Sequence, residues 1–154
     1  MINKGFTQAA IRSMEIDDLK KVLEVEKKSF PVPWTYEMFF SELTLNRYAR
    51  YFILEKNNEI IGYFGLWQKR TGFHITNIAV AEKFRGRGYA KTFLGFIEKM
   101  AITCKIKKIS LEVRRSNYIA QNMYRKYGFK VMKLLKNYYQ IKKEDALVME
   151  KKLY

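Results

Sequence analysis

A chain of 154 residues with 48% apolar residues and one cysteine is long enough to bury a core, and it lacks the thiols for an internal disulfide or a cysteine-rich metal centre, so no metal is expected. Its apolar runs are short, as in YFIL (51–54), well under the ~20 residues of a membrane span, and MINKGFTQAA at the N-terminus lacks the apolar run of a secretory signal, so the expectation is a cytoplasmic protein with no membrane partner. Thirty Lys and Arg against fifteen Asp and Glu give a net charge of +15, which suits an acidic partner such as nucleotide phosphate, an acidic peptide or a ribosome, but the lysines are spread along the chain and do not predict a dedicated nucleic-acid ligand.

Residues 1–8 are expected to be disordered. AAIRSME reads as a short strand, and IDDLKKVLEVEKKSF then sets Leu19, Val22, Leu23 and Val25 mostly on one helical stripe. Asp17 or Asp18 starts this helix with charge suited to its positive end. Pro31 and Pro33 cannot continue it, and Thr35 caps a second helix, TYEMFFSEL. After Arg47 the period changes: ARYFILEKNNEIIGYFGLWQ is two apolar runs around KNNE, a hairpin signal. KRTG is a turn and FHITNIAV a third strand of this group. YAKTFLGFIEKMAITC has Phe93, Leu94, Ile97 and Ala101 at helical spacing, KKISLEV is a strand, and NYIAQNMYRKYGF is a helix ended by Gly128. FKVMKLLKNYYQ and DALVMEKKLY close the chain as an antiparallel pair. The order is βααβββαβαββ, an α/β (α+β) domain whose strand–helix–strand crossover around residues 73–113 calls for a mixed sheet with helices on its faces.

EKFRGRGYAKTF, at 82–93, lies between a strand and a helix. Amides at a helix start favour anions. Gly86, Gly88 and Ala90 leave room for a phosphate, and Arg85, Arg87 and Lys91 add charge at its rim. The stretch reads as a pyrophosphate cradle. It lacks Gly-x-x-x-x-Gly-Lys-Ser/Thr, and Lys91 stands where a dinucleotide fingerprint needs its third glycine.

Arg85-x-x-Gly88-x-Ala90 resembles the Q/R-x-x-G-x-G/A loop of the GNAT acetyltransferases, which holds the pyrophosphate of acetyl-CoA. NIAV (77–80), LEVRRSN (111–117), MYRKYGF (123–129) and NYY (137–139) stand around it in the order seen in ribosomal-protein-alanine N-acetyltransferases and N-terminal acetyltransferase catalytic subunits. The resemblance covers roughly residues 9–154. It implies a single GNAT domain over 1–154, with a mostly antiparallel mixed sheet of about seven strands and about four helices, splayed where acetyl-CoA binds.

What the resemblance implies can be followed residue by residue. Ile78, Ala79 and Val80 contact acetyl-CoA, the turn from Arg85 through Gly86, Arg87, Gly88, Tyr89 and Ala90 to Lys91 takes its pyrophosphate, and Asn117 contacts the cofactor or simply caps a helix. Glu112 matches the glutamate assigned as base. It ends a strand apolar enough to be buried, and burial raises a carboxyl's pKa, although strand alternation also allows an outward-facing residue. Tyr124 matches the tyrosine assigned as acid, against a packing role beside Ala120 and Tyr127. Some members of the family use a histidine or tyrosine for proton handling, and His74 lies on the strand carrying NIAV. Cys104 is read as a small buried filler and not as the carrier of an acetyl group. Phe30, Pro33 and Trp34, with Tyr138 and Tyr139, form two walls of a peptide slot, unless Phe30 and Trp34 only staple helix to core. The implied activity is transfer of acetyl to a protein's N-terminal amine, possible ribosomal proteins included. A small-molecule amine or lysine acetyltransferase, and a ribosome- or nucleic-acid-binding module, remain open.

Overall fold

The structure, a computed structural model, describes residues 8–154. The disorder expected for residues 1–8 lies outside them, save for Gln8. Seven strands form one sheet: β1 (Ala10–Ser13), β2 (Ala49–Lys56), β3 (Glu59–Lys69), β4 (Gly72–Val80), β5 (Lys108–Arg114), β6 (Lys130–Tyr139) and β7 (Glu144–Lys152), in the order β1-β2-β3-β4-β5-β7-β6. Only β4 and β5 run parallel, because the chain between them crosses over through a helix. Four helices cover the sheet: α1 (Leu19–Ser29), α2 (Tyr36–Leu45), α3 (Tyr89–Thr103) and α4 (Tyr118–Lys126).

Local chemistry accounts for most of the boundaries. The Thr35 hydroxyl accepts from the Met38 amide at 3.3 Å and starts α2. Asn57 and Asn58 both have positive φ, 53° and 61°, the hairpin turn whose twist suits β2 and β3. The helix expected from Ile16 begins instead with a 3-10 turn, Ile16–Asp18, ahead of α1. Asp18 holds that junction: its carboxylate takes a two-pronged bond from Arg12, both arms 2.8 Å, and the Glu15 amide at 2.7 Å.

The sheet has a core on each side. Phe93, Leu94 and Ile97 of α3 and Tyr124 of α4 pack with Phe64, Ile75 and Leu111 on one face. Leu19 and Val22 of α1 and Phe39 of α2 pack with Tyr51, Tyr63 and Ala79 on the other. β4 changes allegiance midway. Gly65 pairs with Asn77 but Leu66 with Ile75, so Thr76 is an extra residue, and a bulge of this kind shifts the alternation by one. Phe73 and Ile75 thus face α3 and α4, while Ala79 faces α1 and α2. Gly65 makes room at the bulge, since a Cβ there would sit 2.0 Å from the Tyr51 ring. The Tyr51 hydroxyl lies 2.9 Å from Thr76 Oγ1.

Candidate active site

Strands β4 and β5 pair only from Phe73–Ile109 to Ile75–Leu111. Past Ile75 they part, at the bulge, and the edge of β4 toward β5 has no strand partner. A cleft of about 560 Å³ fills the opening. Ile78, Ala79 and Val80 line it from β4, Glu112 from β5, Ala90 from α3, Asn117 and Tyr124 from the end of β5 and from α4, Phe30, Pro33 and Trp34 from the α1–α2 loop, and Tyr139 from β6. Residues expected from six separate stretches of sequence therefore meet at one cavity.

The turn before α3 is built as the sequence suggests. Gly86 and Gly88 hold φ of 75° and 83°, and a Cβ on either would meet nothing within 4 Å, so the space over the turn is open. Among the described residues, none accepts from the amides between Gly86 and Lys91; the first turn of α3 leaves such donors unpaired. Not every expected cation stands at the rim. Arg85 turns back, its Nε donating to the Val80 carbonyl at 3.0 Å and its Nη2 to Ser29 Oγ at 3.1 Å. It ties the end of β4 to the end of α1, which the spacing alone does not reveal. The Arg87 guanidinium lies over the Phe84 ring, 5.6 Å from its centroid, and Tyr89 meets the same ring edge-on. Lys91 is exposed.

Glu112 faces the cleft, on the side of β5 away from Leu111 and Val113. The expected burial does not hold: its side chain is 21% exposed, and Oε2 lies 2.7 Å from His74 Nε2. Strand alternation turns Glu112 off the core face, and the parting of β4 and β5 admits solvent. His74 does not line the cleft. It stands behind Glu112, its Nδ1 2.9 Å from Ser110 Oγ, so Ser110, His74 and Glu112 form a chain across the parallel pair. Tyr124 is 5% exposed. Burial first, and Tyr139 second, push its hydroxyl well above the usual tyrosine range, so it keeps its proton. Asn117 caps α4, its Oδ1 accepting from the Ala120 amide at 3.1 Å, and the residue also lines the cleft.

The second wall is only partly as expected. Tyr139 reaches the cleft, carries the Arg114 guanidinium 3.9 Å over its ring and is pushed up to about 12, chiefly by burial. Tyr138 does not line the cleft and is 47% exposed, because consecutive strand residues point to opposite faces. Trp34 packs on Phe39 at 5.2 Å between ring centroids, and it also lines the cavity. Cys104 is exposed, not a buried filler. It follows Ala101, the last buried residue of α3, and leads into the left-handed turn at Lys105.

Asn77, Arg114 and Glu26 are among the cleft residues outside the expected set. Asn77 is buried beside the bulge, within 3.4 Å of the Tyr51 hydroxyl. Arg114 bridges Tyr139 and Glu144. Glu26 is 1% exposed, and its Oε1 accepts from the Trp34 amide at 3.1 Å. Burial raises its pKa to about 7. Its sequence signal is slight, a charge at the next position of the Leu19–Val22–Leu23 stripe, where α1 buries its apolar face.

A model described as the Acetyltransferase (GNAT) family matches residues 19–129. The Bacillus subtilis (strain 168) protein named "Putative ribosomal protein bS18-alanine N-acetyltransferase" is 39% identical over 143 residues, which cover 93% of this chain and 95% of that protein. An N-alpha-acetyltransferase of Saccharolobus solfataricus is 31% identical over 157 residues, covering 93% and 92%. In fold, the crystal structure of the ribosomal-protein-S18-alanine N-acetyltransferase from Escherichia coli superposes with a TM-score of 0.86 at 24% identity, covering 95% of this chain and 94% of that one.

Proposed function

Because the chain belongs to the GNAT acetyltransferase family, we propose that it transfers acetyl from acetyl-CoA to the N-terminal amino group of proteins, ribosomal proteins among them, in the cytoplasm. The observation that carries this reading is the cleft itself: Glu112, Tyr124 and the start of α3 meet where β4 and β5 part. The relatives' names support the acceptor class.

The residues present fit acetyl-CoA. The open space over Gly86 and Gly88 and the free amides up to Lys91 suit a pyrophosphate. The unpartnered edge of β4 at Ile78 offers backbone groups to the amides of its pantetheine arm, those of Ala79 being turned toward β3. At Val80 the carbonyl is already taken by Arg85. Acetyl-CoA supplies the thioester.

The remaining chemistry belongs to the chain. The acceptor nitrogen must shed a proton as it bonds to the acetyl carbon. An α-amine has a pKa near ~8, so a mild base suffices. Glu112 takes that proton, directly or through a water, with His74 hydrogen-bonded behind it. As the carbon–sulfur bond breaks, the sulfur needs a proton. Tyr124, held neutral by burial, gives it. Phe30, Pro33, Trp34 and Tyr139 wall the acceptor's path.

The test is a peptide acetylation assay read by mass spectrometry, with acetyl-CoA and peptides carrying either a free N-terminus or a free lysine only. Acetylation at the α-amine is expected. Transfer to lysine alone, or acetyl-CoA binding with no transfer to either amine, would overturn the reading.

A further inference from the structure

Glu26 is a buried carboxyl with one unsatisfied oxygen. Its Oε1 is committed to the Trp34 amide. Its Oε2 is buried and has no hydrogen-bond partner in the structure. Such a group forfeits its hydration without compensation. The chain has thirty Lys and Arg, yet among the described residues none forms an ion pair with Glu26. A charge opposite is absent where it would be easiest to supply.

The surroundings say what is missing. Glu26 lines the same cleft as Glu112, against the apolar walls of Phe30, Pro33, Trp34 and Met38. It lies within electrostatic reach of Tyr51, whose hydroxyl stays protonated chiefly through burial, with Glu42 and Glu26 adding to it, and Tyr51 is hydrogen-bonded at the β4 bulge. The Trp34 amide holds one oxygen of the carboxyl, and the other is left without a partner beside the cleft. A donor that enters this cleft, carries positive charge and is common to every acceptor is the N-terminal ammonium.

We propose that Glu26 positions the acceptor, its free Oε2 taking a hydrogen bond from the α-amino group of the incoming N-terminus. Glu26 has this role only if the acceptor is an N-terminal amine, as read above. The two carboxylates then divide the work. Glu26 holds the amine, and Glu112, backed by His74, removes its proton. Glu26 is a positioning and specificity residue for the amine and does not act on the thioester.

Glu26→Gln separates this role from simple anchoring of the loop. Its amide oxygen keeps the bond from Trp34, but an NH₂ group replaces the free oxygen and opposes a donor. The acceptor peptide's KM is expected to rise about 10- to 100-fold, the usual range for a hydrogen bond to a charged group, with KM for acetyl-CoA unchanged. Binding of the N-acetylated product peptide, which has no ammonium, should equal wild type. Equal KM for the free peptide in wild type and Glu26→Gln would overturn the proposal. So would an equal loss for free and acetylated peptides, because that is the mark of a displaced loop. If Glu26→Gln does not fold, Glu26→Asp replaces it: weaker binding of the free peptide alone supports the role, and wild-type binding of both overturns it. A wild-type enzyme that acetylates no N-terminus would overturn the functional reading and this role together, whereas an active wild type with an unaffected Glu26→Gln overturns this role alone.

Discussion

The Gly86–Lys91 turn and the Phe30–Trp34 loop face one cleft and are built in opposite ways. The turn offers backbone: free amides, two glycines at positive φ and open space above them. The loop offers side chains, set by packing: Trp34 lies against Phe39 and Tyr51, and its amide is pinned by a glutamate from the preceding helix. A backbone site recognises a group that never varies, such as a pyrophosphate. A side-chain wall can be reshaped residue by residue for a new acceptor. The contrast teaches that cofactor and acceptor affinities should be separable by mutation.

The largest expected effect lies where the two regions meet. Glu112→Gln should lose on the order of 10²–10⁴ in kcat while acetyl-CoA and acceptor affinities hold, and higher pH should partly rescue it by supplying neutral amine. Tyr124→Phe should also slow, without rescue, because high pH supplies no proton to the sulfur. The check is a pH–rate profile of kcat for both variants with an N-terminal peptide. A Glu112→Gln enzyme near wild type at neutral pH would move the base elsewhere, with His74 next to test. A loss of cofactor affinity in the same variant would break the separation.

Gly88→Val should act on the backbone side alone. A side chain would enter the open space above the turn, and φ of 83° would strain it by about 1–2 kcal/mol. Acetyl-CoA affinity is expected to fall by about 10- to 100-fold, as when a charged group loses a hydrogen bond or two, with the acceptor's KM little changed. Calorimetric titration of acetyl-CoA into the folded variant decides it, and wild-type affinity would remove the turn from the site.

The side-chain wall has a signature in stability. Glu26 has a folded pKa of about 7 against an unfolded value near ~4.3. Between those values the folded state binds more protons, so stability falls as pH rises through the window and the full benefit is present only below it. The drop is on the order of 3 kcal/mol, and Glu26→Gln should flatten it. Urea melts from pH 4 to 8 for both proteins provide the measurement; parallel curves would show that Glu26 titrates as an ordinary surface carboxylate.

The smallest effect is expected at Cys104. It is exposed, far along α3 from its start, and on the proposed direct transfer Cys104→Ala should keep kcat and kcat/KM. Ping-pong kinetics in the wild type, abolished in this variant, would refute direct transfer.

Much of this could be read from the chain, and the two regions differ here too. The strand and helix order follows from periodicity, and glycines at positive φ announce the turn, because backbone demands leave residue-specific marks. The acceptor wall leaves fewer. Glu26 interrupts an apolar stripe only slightly and reads as one more surface charge of α1. Arg85 reads as a phosphate ligand until the end of β4 is seen to need it. The burial expected of Glu112 fails because the spreading of β4 from β5 depends on Thr76, an extra residue that only pairing with β3 defines. Tyr138 and Tyr139 look equivalent as neighbours, and only the face of β6 separates them.

Thr76 has a further consequence. A sheet normally exposes unpaired backbone at its two borders, where other chains can add to it. Here a third such border opens inside the sheet, along β4 beyond Ile75. A bound acetyl-CoA, on the reading given, stands in as a temporary strand, completing the sheet for the length of one turnover. Hydrogen exchange at the amides of Ile78 and Val80, which face the opening, would slow on binding and recover on release, even though no part of the chain has moved.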